Sequence, residues 1–400
     1  MWKTLSSRKI TYTFVAMKKP AQQIYLDHNA TTPPLPEVVE AVCEALRTAY
    51  GNPSSGHRQG EPARRLLQRA RETLQGYLGT PDEQFVFTGS GTEANNLALR
   101  SLARHGSCII TNAIEHSSIL NCATRLQAEG SPTEIITATA EGEVDLCVLR
   151  QQLMAHRHAA VSIQWINNET GIIQPVREIT SLAREHGALL HIDAAQAVGK
   201  IDTNIIEELD PDFLSLTAHK FNGPAGVGAL YARQPALIDP LCVGGGQQGG
   251  WHAGTENTAG IAGLQRALEL RYSQHHEAMA HMAELRDIFE KTVLDRCSWV
   301  RINGNRDKRV CNTSNLCFEG IDGQALVGRL DTLGIYCSQS SACTTGRPEP
   351  SHVLRAMGLS EAQAYASVRF SFGVTNTHQE AELAATIVAT EAEHLKRIFA

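Results

Sequence analysis

Two side chains of this 400-residue sequence are nucleophiles in settings that favour reaction. Lys220 follows an apolar, β-rich run and precedes a Gly-Pro turn, so we expect it at the end of a strand. Cys343 lies among small and polar residues, 340–346, which predicts a flexible loop. A lysine amine forms imines with carbonyl groups, and a thiolate attacks sulfur. These are the two nucleophiles that the removal of sulfur from an amino acid requires.

Two further segments place polar groups beside predicted strands. Residues 88–93 (Thr-Gly-Ser-Gly-Thr-Glu) lie between a strand and a helix, where free backbone N–H groups can hold an anion. The alternative is a tight turn with Thr92 as the helix N-cap. Asp193 ends another strand, where an acid can hold a positive ring nitrogen such as that of pyridoxal phosphate (PLP). The alternative for Asp193 is a helix cap.

The order of these segments is more informative than any one of them. Most lysines are solvated at the surface, so the position of Lys220 alone is weak evidence for an imine-forming lysine. Thr217 and His219 beside it, however, suit phosphate oxygens. A phosphate turn, a ring-nitrogen acid and an imine-forming lysine, in this order and each at a strand end, indicate a fold-type I PLP enzyme.

The elements that must position these residues alternate between strand and helix from about residue 84 to 235. Strands are predicted at 84–88, 107–111, 134–137, 161–166, 189–192, 213–216 and 227–231. Helices are predicted at 92–104, 117–127 and 176–186. This alternation predicts a mostly parallel sheet with helices on both faces, which binds ligands at the carboxyl ends of its strands.

The fold class that we predict is therefore α/β, with a large PLP-binding domain of fold type I and a smaller α+β domain. A helical region at about 258–293 leads into the second domain, which ends in a helix at 379–398. We assign residues 23–275 to the large domain, whose first residues could pack with the small one, and 276–400 to the small domain. Residues 1–22 are basic and contain no acid, and we expect them to be a disordered extension.

Composition excludes several classes of function. The formal charge of −6 and the pI near 6.2 argue against direct nucleic-acid binding and against a polybasic membrane surface. The sequence contains no run of 18 apolar residues, so no membrane-spanning helix is predicted. The ten cysteines form no CxxC pair, and their irregular spacing argues against a disulfide framework, so we predict a cytoplasmic protein. The histidine spacing gives no metal site.

Several longer motifs occur in a fixed order along the chain. They are Tyr-Leu-Asp-His-Asn-Ala-Thr-Thr-Pro at 25–33, Glu-His-Ser-Ser at 115–118, Asn-Asn-Glu-Thr-Gly at 167–171, His-Lys at 219–220, Ala-Gly-Thr-Glu-Asn at 253–257, and Ser-Ala-Cys at 341–343 followed by Glu-Pro-Ser at 349–351. With these motifs the sequence, from about Ile24 to its end, resembles the cysteine desulfurases of the NifS/IscS type, in the class-V aminotransferase group. The resemblance implies PLP-dependent conversion of L-cysteine to L-alanine in a homodimer. It also implies a persulfide on Cys343 that passes to a sulfur-acceptor protein, for iron–sulfur cluster assembly or thiolation.

The resemblance also implies roles for the residues around the cofactor. Lys220 would form the imine with PLP, Asp193 would pair with the pyridine nitrogen, and Gln196 with the phenolic oxygen. His116 would stack on the ring and shuttle protons. The residues expected to hold the phosphate are Gly91, Thr92, Thr217, His219 and, from the partner subunit, Thr255.

The substrate side is implied in the same way. Asn168 and Arg369 would hold the α-carboxylate of the substrate, and a planar guanidinium suits that task. Without the resemblance, Arg369 would be interpreted as an outward residue of a strand. Cys343 matches the persulfide-forming cysteine, whereas Cys337 is interpreted as a buried strand residue.

The chain departs from the family at residues 247–252, Gln-Gln-Gly-Gly-Trp-His, where relatives carry one or two arginines. Trp251 could anchor a different partner or fill a gap at the dimer interface, and we favour the second. The alternative functions are a selenocysteine lyase, another class-V aminotransferase-like enzyme and a non-catalytic scaffold. Transamination needs no nucleophilic cysteine, and a scaffold would be expected to lose some of Lys220, Asp193 and His116.

Overall fold

The computed structural model describes residues 23–79, 84–203, 206–339 and 349–399. The expected extension at 1–22 and the segment that carries Cys343 therefore lie outside the described residues. The strands are β1 Ile24–Tyr25, β2 Phe85–Thr88, β3 Ile109–Asn112, β4 Thr133–Ile136, β5 Ala160–Gln164, β6 Leu189–Asp193, β7 Phe213–Thr217, β8 Gly228–Ala232, β9 Val300–Ile302, β10 Thr313–Phe318, β11 Ile335–Tyr336 and β12 Ser367–Ser371.

The helical ranges predicted at 92–104, 117–127, 176–186, 258–293 and 379–398 agree with the structure to within three residues at their ends, and the other helices were not predicted. The helices are α1 Pro36–Thr48, α2 Glu61–Leu78, α3 Gly91–His105, α4 Ser117–Ala128, α5 Leu146–Ala155, α6 Val176–Glu185, α7 Ile206–Leu209, α8 Thr258–Ser273, α9 His275–Arg296, α10 Gly323–Thr332, α11 His352–Ala356, α12 Glu361–Tyr365 and α13 His378–Phe399. The helical region predicted at 258–293 is thus two helices, interrupted at Gln274, whose φ of −121° is not helical. None of the described helices is long and apolar enough to cross a membrane.

A seven-stranded sheet forms the centre of the larger part, in the order β2-β8-β7-β6-β5-β3-β4. Strands β3 to β7 are mutually parallel, and β8 is antiparallel to both of its neighbours. Every residue of β5 and β7 is buried, as expected for parallel strands that are covered by helices on both faces. The predicted fold class is confirmed.

A second core surrounds a three-stranded antiparallel sheet, β12-β10-β9, and the parallel pair β1-β11. Helices α9 and α13 cover it, with Phe289, Phe318 and Phe370 at its centre. Ile24 and Leu26 are buried in this same core, so the first described strand packs with the C-terminal elements. Whether the boundary between the two domains lies at 275 stays a prediction.

Candidate active site

The carboxyl ends of the parallel strands bring the predicted residues together. Because β3, β5, β6 and β7 run in the same direction, the segments that follow them meet at one edge of the sheet. His116 follows β3, Asn168 follows β5, Asp193 ends β6 and Lys220 follows β7. A cavity of about 230 Å³ opens there, and ten of the twelve predicted site residues line it.

Lys220 ends a short 3-10 turn directly after β7. Its Nζ donates to the backbone oxygens of Asn29 at 2.6 Å and Ala30 at 2.9 Å, which hold the amine at the cavity wall. Burial and the nearby Lys220 ammonium lower the pKa of His219 to about 4, so its imidazole is neutral. The sequence motif at 25–33 was noted, but the role of Asn29 and Ala30 as acceptors for the lysine was not predicted.

Asp193 is 5% exposed and faces the cavity with its carboxylate. Its Oδ1 accepts from the Ala195 backbone N–H at 2.9 Å, and its Oδ2 accepts from Asn95 Nδ2 at 2.8 Å. Residues 195–200 form turns, so the alternative that Asp193 caps a helix is wrong. Each oxygen thus keeps a lone pair for a further donor, which a protonated ring nitrogen supplies.

His116 is the N-cap of α4. Its Nδ1 accepts from the Ser118 backbone N–H at 3.1 Å and lies 2.7 Å from Ser118 Oγ. Burial is the main cause that lowers the pKa of His116, so the neutral form is favoured. With Nδ1 occupied as an acceptor, the proton of the neutral ring lies on Nε2.

The start of α3 forms the polar end of the cavity together with residues near β7. Ser90, not Thr92, is the N-cap, because Ser90 Oγ accepts from the Glu93 backbone N–H. Thr92 instead lies in the first turn and lines the cavity, so its prediction as N-cap is wrong. A Cβ on Gly91 would lie 3.2 Å from Thr217 Cβ, so a larger residue would push the start of α3 and Thr217 apart by a few tenths of an ångström.

The amide of Gln196 is oriented by a lysine that sequence analysis did not predict. Lys200, 4% exposed, donates from Nζ to Gln196 Oε1 and, at 3.0 Å, to Asn29 Oδ1. Gln196 Nε2 then donates one hydrogen to the Asn29 backbone oxygen at 2.9 Å. Because Oε1 is taken by Lys200, the amide can present only its remaining N–H to the cavity.

Arg369 lies on β12 and is 2% exposed, so it is not the outward residue that the strand pattern alone suggests. Its Nη2 pairs with Asp27 Oδ1 at 2.5 Å, and its Nη1 donates to the Asn168 backbone oxygen at 3.0 Å. Its Nε is buried and has no partner among the described residues. A buried guanidinium N–H without an acceptor is a binding point for a carboxylate.

Two of the predicted residues are not at the cavity in the described chain. Thr255 is exposed and does not line it, and Cys343 lies outside the described residues. The residues that precede Thr255 make contacts within the same subunit. The Gln248 side chain pairs with the Phe87 backbone at 2.6 and 2.9 Å, His252 Nε2 lies 2.6 Å from Glu93 Oε1, and Trp251 packs on the core beneath α3.

These groups fit PLP in kind and position. The cavity combines an amine, an acid for a ring nitrogen, an amide N–H for a phenolic oxygen, and a helix N-terminus with hydroxyl groups for a phosphate. Gly91 lets the start of α3 lie close to the Thr217 side chain, and both residues line this polar end of the cavity. Arg369 lines the same cavity and keeps one N–H, on Nε, without a partner among the described residues.

Comparison with known proteins agrees with this chemistry. The aminotransferase class-V family model matches residues 24–383. A cysteine desulfurase from Trichormus azollae is 39% identical over 381 residues, which cover 94% of each chain. The cysteine desulfurase IscS from Dictyoglomus turgidum is 38% identical over 94% of this chain and 96% of its own. A solved NifS-like protein, 33% identical, matches with a TM-score of 0.87 over 94% of this chain and 100% of its own.

Proposed function

Since the chain belongs to the class-V aminotransferase family and, within it, to the cysteine desulfurases, we propose that it takes sulfur from L-cysteine, releases L-alanine and leaves a persulfide on Cys343. The observation that carries the proposal is that one cavity is lined by Lys220, Asp193 and Arg369. They supply the amine, the ring-nitrogen acid and the carboxylate clamp of a PLP enzyme that acts on an amino acid.

The residues that would hold PLP follow from their remaining hydrogen-bonding capacity. Lys220 Nζ would bond to its aldehyde carbon, Asp193 would accept from the pyridine nitrogen, and the free N–H of Gln196 would donate to the phenolic oxygen. His116 would lie against the ring. The phosphate would be held by Gly91, Thr92, Thr217, His219 and the partner subunit's Thr255. When bound, PLP supplies an electron sink that stabilises negative charge at the substrate Cα.

The chain's own residues would orient the substrate and move its protons. Arg369 Nε and the side chain of Asn168 would hold the α-carboxylate in the cavity that Lys220 also lines. Lys220 Nζ would take the Cα proton. His116, with its proton on Nε2, would act as a donor to the reacting groups rather than as a second base.

Cys343 would complete the reaction outside the described residues. Its thiolate would attack the sulfur of L-cysteine, so that an S–S bond forms while the Cβ–S bond breaks. Cβ then takes a proton, and the products are L-alanine and the Cys343 persulfide; no oxidant or reductant is consumed. The persulfide sulfur would pass to an acceptor protein, in iron–sulfur cluster assembly or thiolation.

The test is an absorbance spectrum of the purified protein with PLP, before and after L-cysteine and a thiol reductant, with sulfide and alanine assayed together. We expect a near-visible band that changes with cysteine, and equal amounts of sulfide and alanine. If the protein showed the absorbance band of bound PLP but released no sulfide from L-cysteine in the presence of the thiol reductant, the proposal would be contradicted. With Arg369→Lys in the same assay, KM should rise about 10- to 100-fold, because the charge-assisted hydrogen bond from Nε to the substrate carboxylate is lost and an ammonium group does not replace it in the same geometry.

We also propose that the enzyme is a cytoplasmic homodimer. The exposed Thr255 and the exposed apolar side chains of Leu46 on α1 and of Tyr50 just after this helix support a subunit interface. The free thiols of the described cysteines support a reducing compartment, which cell fractionation would test. Light scattering of the PLP-bound protein should give twice 43.5 kDa. A monomer that binds PLP and turns over cysteine at full rate would contradict the role of Thr255 across subunits.

A further inference from the structure

A series of hydrogen-bonded, buried polar side chains leads to Asp193 from within the central sheet. It crosses three strands of the central sheet and ends on α3. Its members are Ser162 on β5, His191 on β6, Ser215 on β7 and Asn95 on α3, each at most 2% exposed. Buried polar groups in this number are stable only when each has a partner, so their hydrogen bonds can be assigned one by one.

Consecutive members lie within hydrogen-bonding distance. Ser162 Oγ is 2.9 Å from His191 Nδ1, and His191 Nε2 is 3.1 Å from Ser215 Oγ. Ser215 Oγ contacts Asn95 Oδ1, and Asn95 Nδ2 is 2.8 Å from Asp193 Oδ2. These hydrogen bonds therefore run across one face of the sheet, from β5 to the Asp193 carboxylate in the cavity.

The direction of the hydrogens follows from counting donors. A carboxylate only accepts, so the Asn95 atom beside Asp193 must be Nδ2 and its Oδ1 must face Ser215. Ser215 has one hydrogen, which it donates to this Oδ1. The Ser215 oxygen must then accept, and its donor is His191 Nε2–H.

His191 is neutral, which fixes its other nitrogen. Burial is the main cause that lowers the pKa of His191 to about 4, so only one ring nitrogen carries a proton near neutral pH. Since Nε2 is the donor, Nδ1 accepts from the Ser162 hydroxyl. Every hydrogen of the series thus points toward the cavity.

The series has a second branch that ends on His116. Asn95 Nδ2 also lies 2.9 Å from Ser118 Oγ, and Ser118 Oγ lies 2.7 Å from His116 Nδ1. The two hydrogens of the Asn95 amide are therefore shared between Asp193 and Ser118. One amide controls both side chains that would contact the cofactor ring.

We propose that Asn95, Ser215 and His191 are positioning residues that hold the Asp193 carboxylate and the His116 ring in the orientation that receives the cofactor. The Ala195 N–H fixes one oxygen of Asp193 and the Asn95 amide fixes the other, so the carboxylate does not rotate. Preorganisation of this kind strengthens the binding of a ligand that pairs with the fixed group. The inference rests on the proposed function only for the identity of that ligand. The tautomer of His191 is a property of the protein with or without the ligand.

The first test is two-bond ¹H–¹⁵N NMR of the PLP-bound enzyme labelled with ¹⁵N-histidine, near pH 7.5. We expect His191 to be protonated at Nε2 and bare at Nδ1, with the same tautomer at His116. Spectra of His191→Asn and His116→Asn assign the signals. A proton on Nδ1 of His191 in the parent enzyme would overturn the proposal, because Ser215 would then have to donate to two acceptors with one hydrogen.

The second test compares two buried hydroxyl deletions. Ser215→Ala interrupts the hydrogen bonds between His191 and Asn95 and does not change a residue that lines the cavity. The PLP dissociation constant should rise about fivefold, as for the loss of one buried hydrogen bond. His191 should then shift toward the Nδ1–H tautomer, because Ser162 can accept. Ser101→Ala is the matched control, since Ser101 is fully buried on α3 and its partners among the described residues are Leu97 and Asp239, neither of which lines the cavity.

The two variants separate positioning from stability. Both should lower the unfolding temperature, but only Ser215→Ala should weaken PLP binding. Equal PLP affinity in the two variants would assign Ser215 a structural role and overturn the proposal. If the parent enzyme bound no PLP, the proposed function would be wrong. The tautomer of His191 would still show whether the hydrogen bonds are donated in the direction from Ser162 to Asp193.

Discussion

Replacing Lys220 with alanine is expected to abolish turnover of L-cysteine and to remove the absorbance band of the covalently bound cofactor. Lys220 Nζ is the one lysine amine that lines the cavity among the described residues. Its loss removes both the covalent bond to the cofactor and the base for the Cα proton. We expect turnover to fall by about 10³-fold or more, since a positioned base alone contributes ~10²- to 10⁴-fold.

Lys200→Met is the matched variant, because Lys200 is a second buried lysine beside the site that does not line the cavity. After borohydride reduction with PLP, mass spectrometry of the parent and of Lys200→Met should find the cofactor on the peptide that contains Lys220. Lys220→Ala should carry no reduced adduct, although its fold, judged by circular dichroism, is retained. An adduct on Lys200 in the parent would contradict the assignment.

The central sheet could be predicted because parallel strands covered on both faces must be apolar throughout. The predicted strands agree with β2 to β8 to within one or two residues at most ends. The small sheet was harder, because β10 is Thr-Ser-Asn-Leu-Cys-Phe and all six residues are buried. Its polar half is stabilised by partners far along the chain, such as the Glu169 carbonyl that accepts from Asn315 Nδ2 at 3.0 Å. No local pattern reveals such partners.

The cavity shows the same division. Lys220 and Asp193 were predicted because their motifs stand at strand ends, where ligands bind, and His116 because the family resemblance implies its role. Asn95 and His191 were not, since a polar residue inside an apolar element gains a role only when its neighbours are known. Ser90 could have been found: Ser-x-x-Glu at 90–93 has the spacing of a helix N-cap, which was assigned to Thr92 instead.

Replacing Cys343 with alanine is expected to leave the cofactor band and the binding of L-cysteine intact, but to stop persulfide formation. We expect sulfide and alanine production to fall at least about 10²-fold, because nucleophilic attack on sulfur requires a thiolate. The described ends of the segment that carries Cys343 lie beside the cavity. Ser338 Oγ donates to Asp27, the partner of Arg369, and Ser351 Oγ donates to Glu169, which follows Asn168.

The other nine cysteines, all described, are poor substitutes for Cys343. None of them lines the cavity. Burial raises the pKa of four of these thiols to about 11: Cys108, Cys122, Cys297 and Cys311. Burial also raises the pKa of Cys337, six residues before Cys343, so that it stays a thiol near neutral pH. We therefore expect the sulfur-accepting thiolate to be that of Cys343, outside the described residues.

Cys337→Ala is thus the control variant. It tests whether persulfide formation requires the thiol of Cys343 in particular or any cysteine nearby in the sequence. Peptide mass spectrometry after a single turnover should locate the extra sulfur on Cys343 in the parent and in Cys337→Ala, and nowhere in Cys343→Ala. Because Lys220→Ala stops the reaction before the cofactor bond and Cys343→Ala stops it after substrate binding, the two variants divide the reaction into an amine half and a sulfur half. Alanine formed at the parental rate by Cys343→Ala would show that the sulfur leaves without this thiol, and the proposed persulfide step would be wrong.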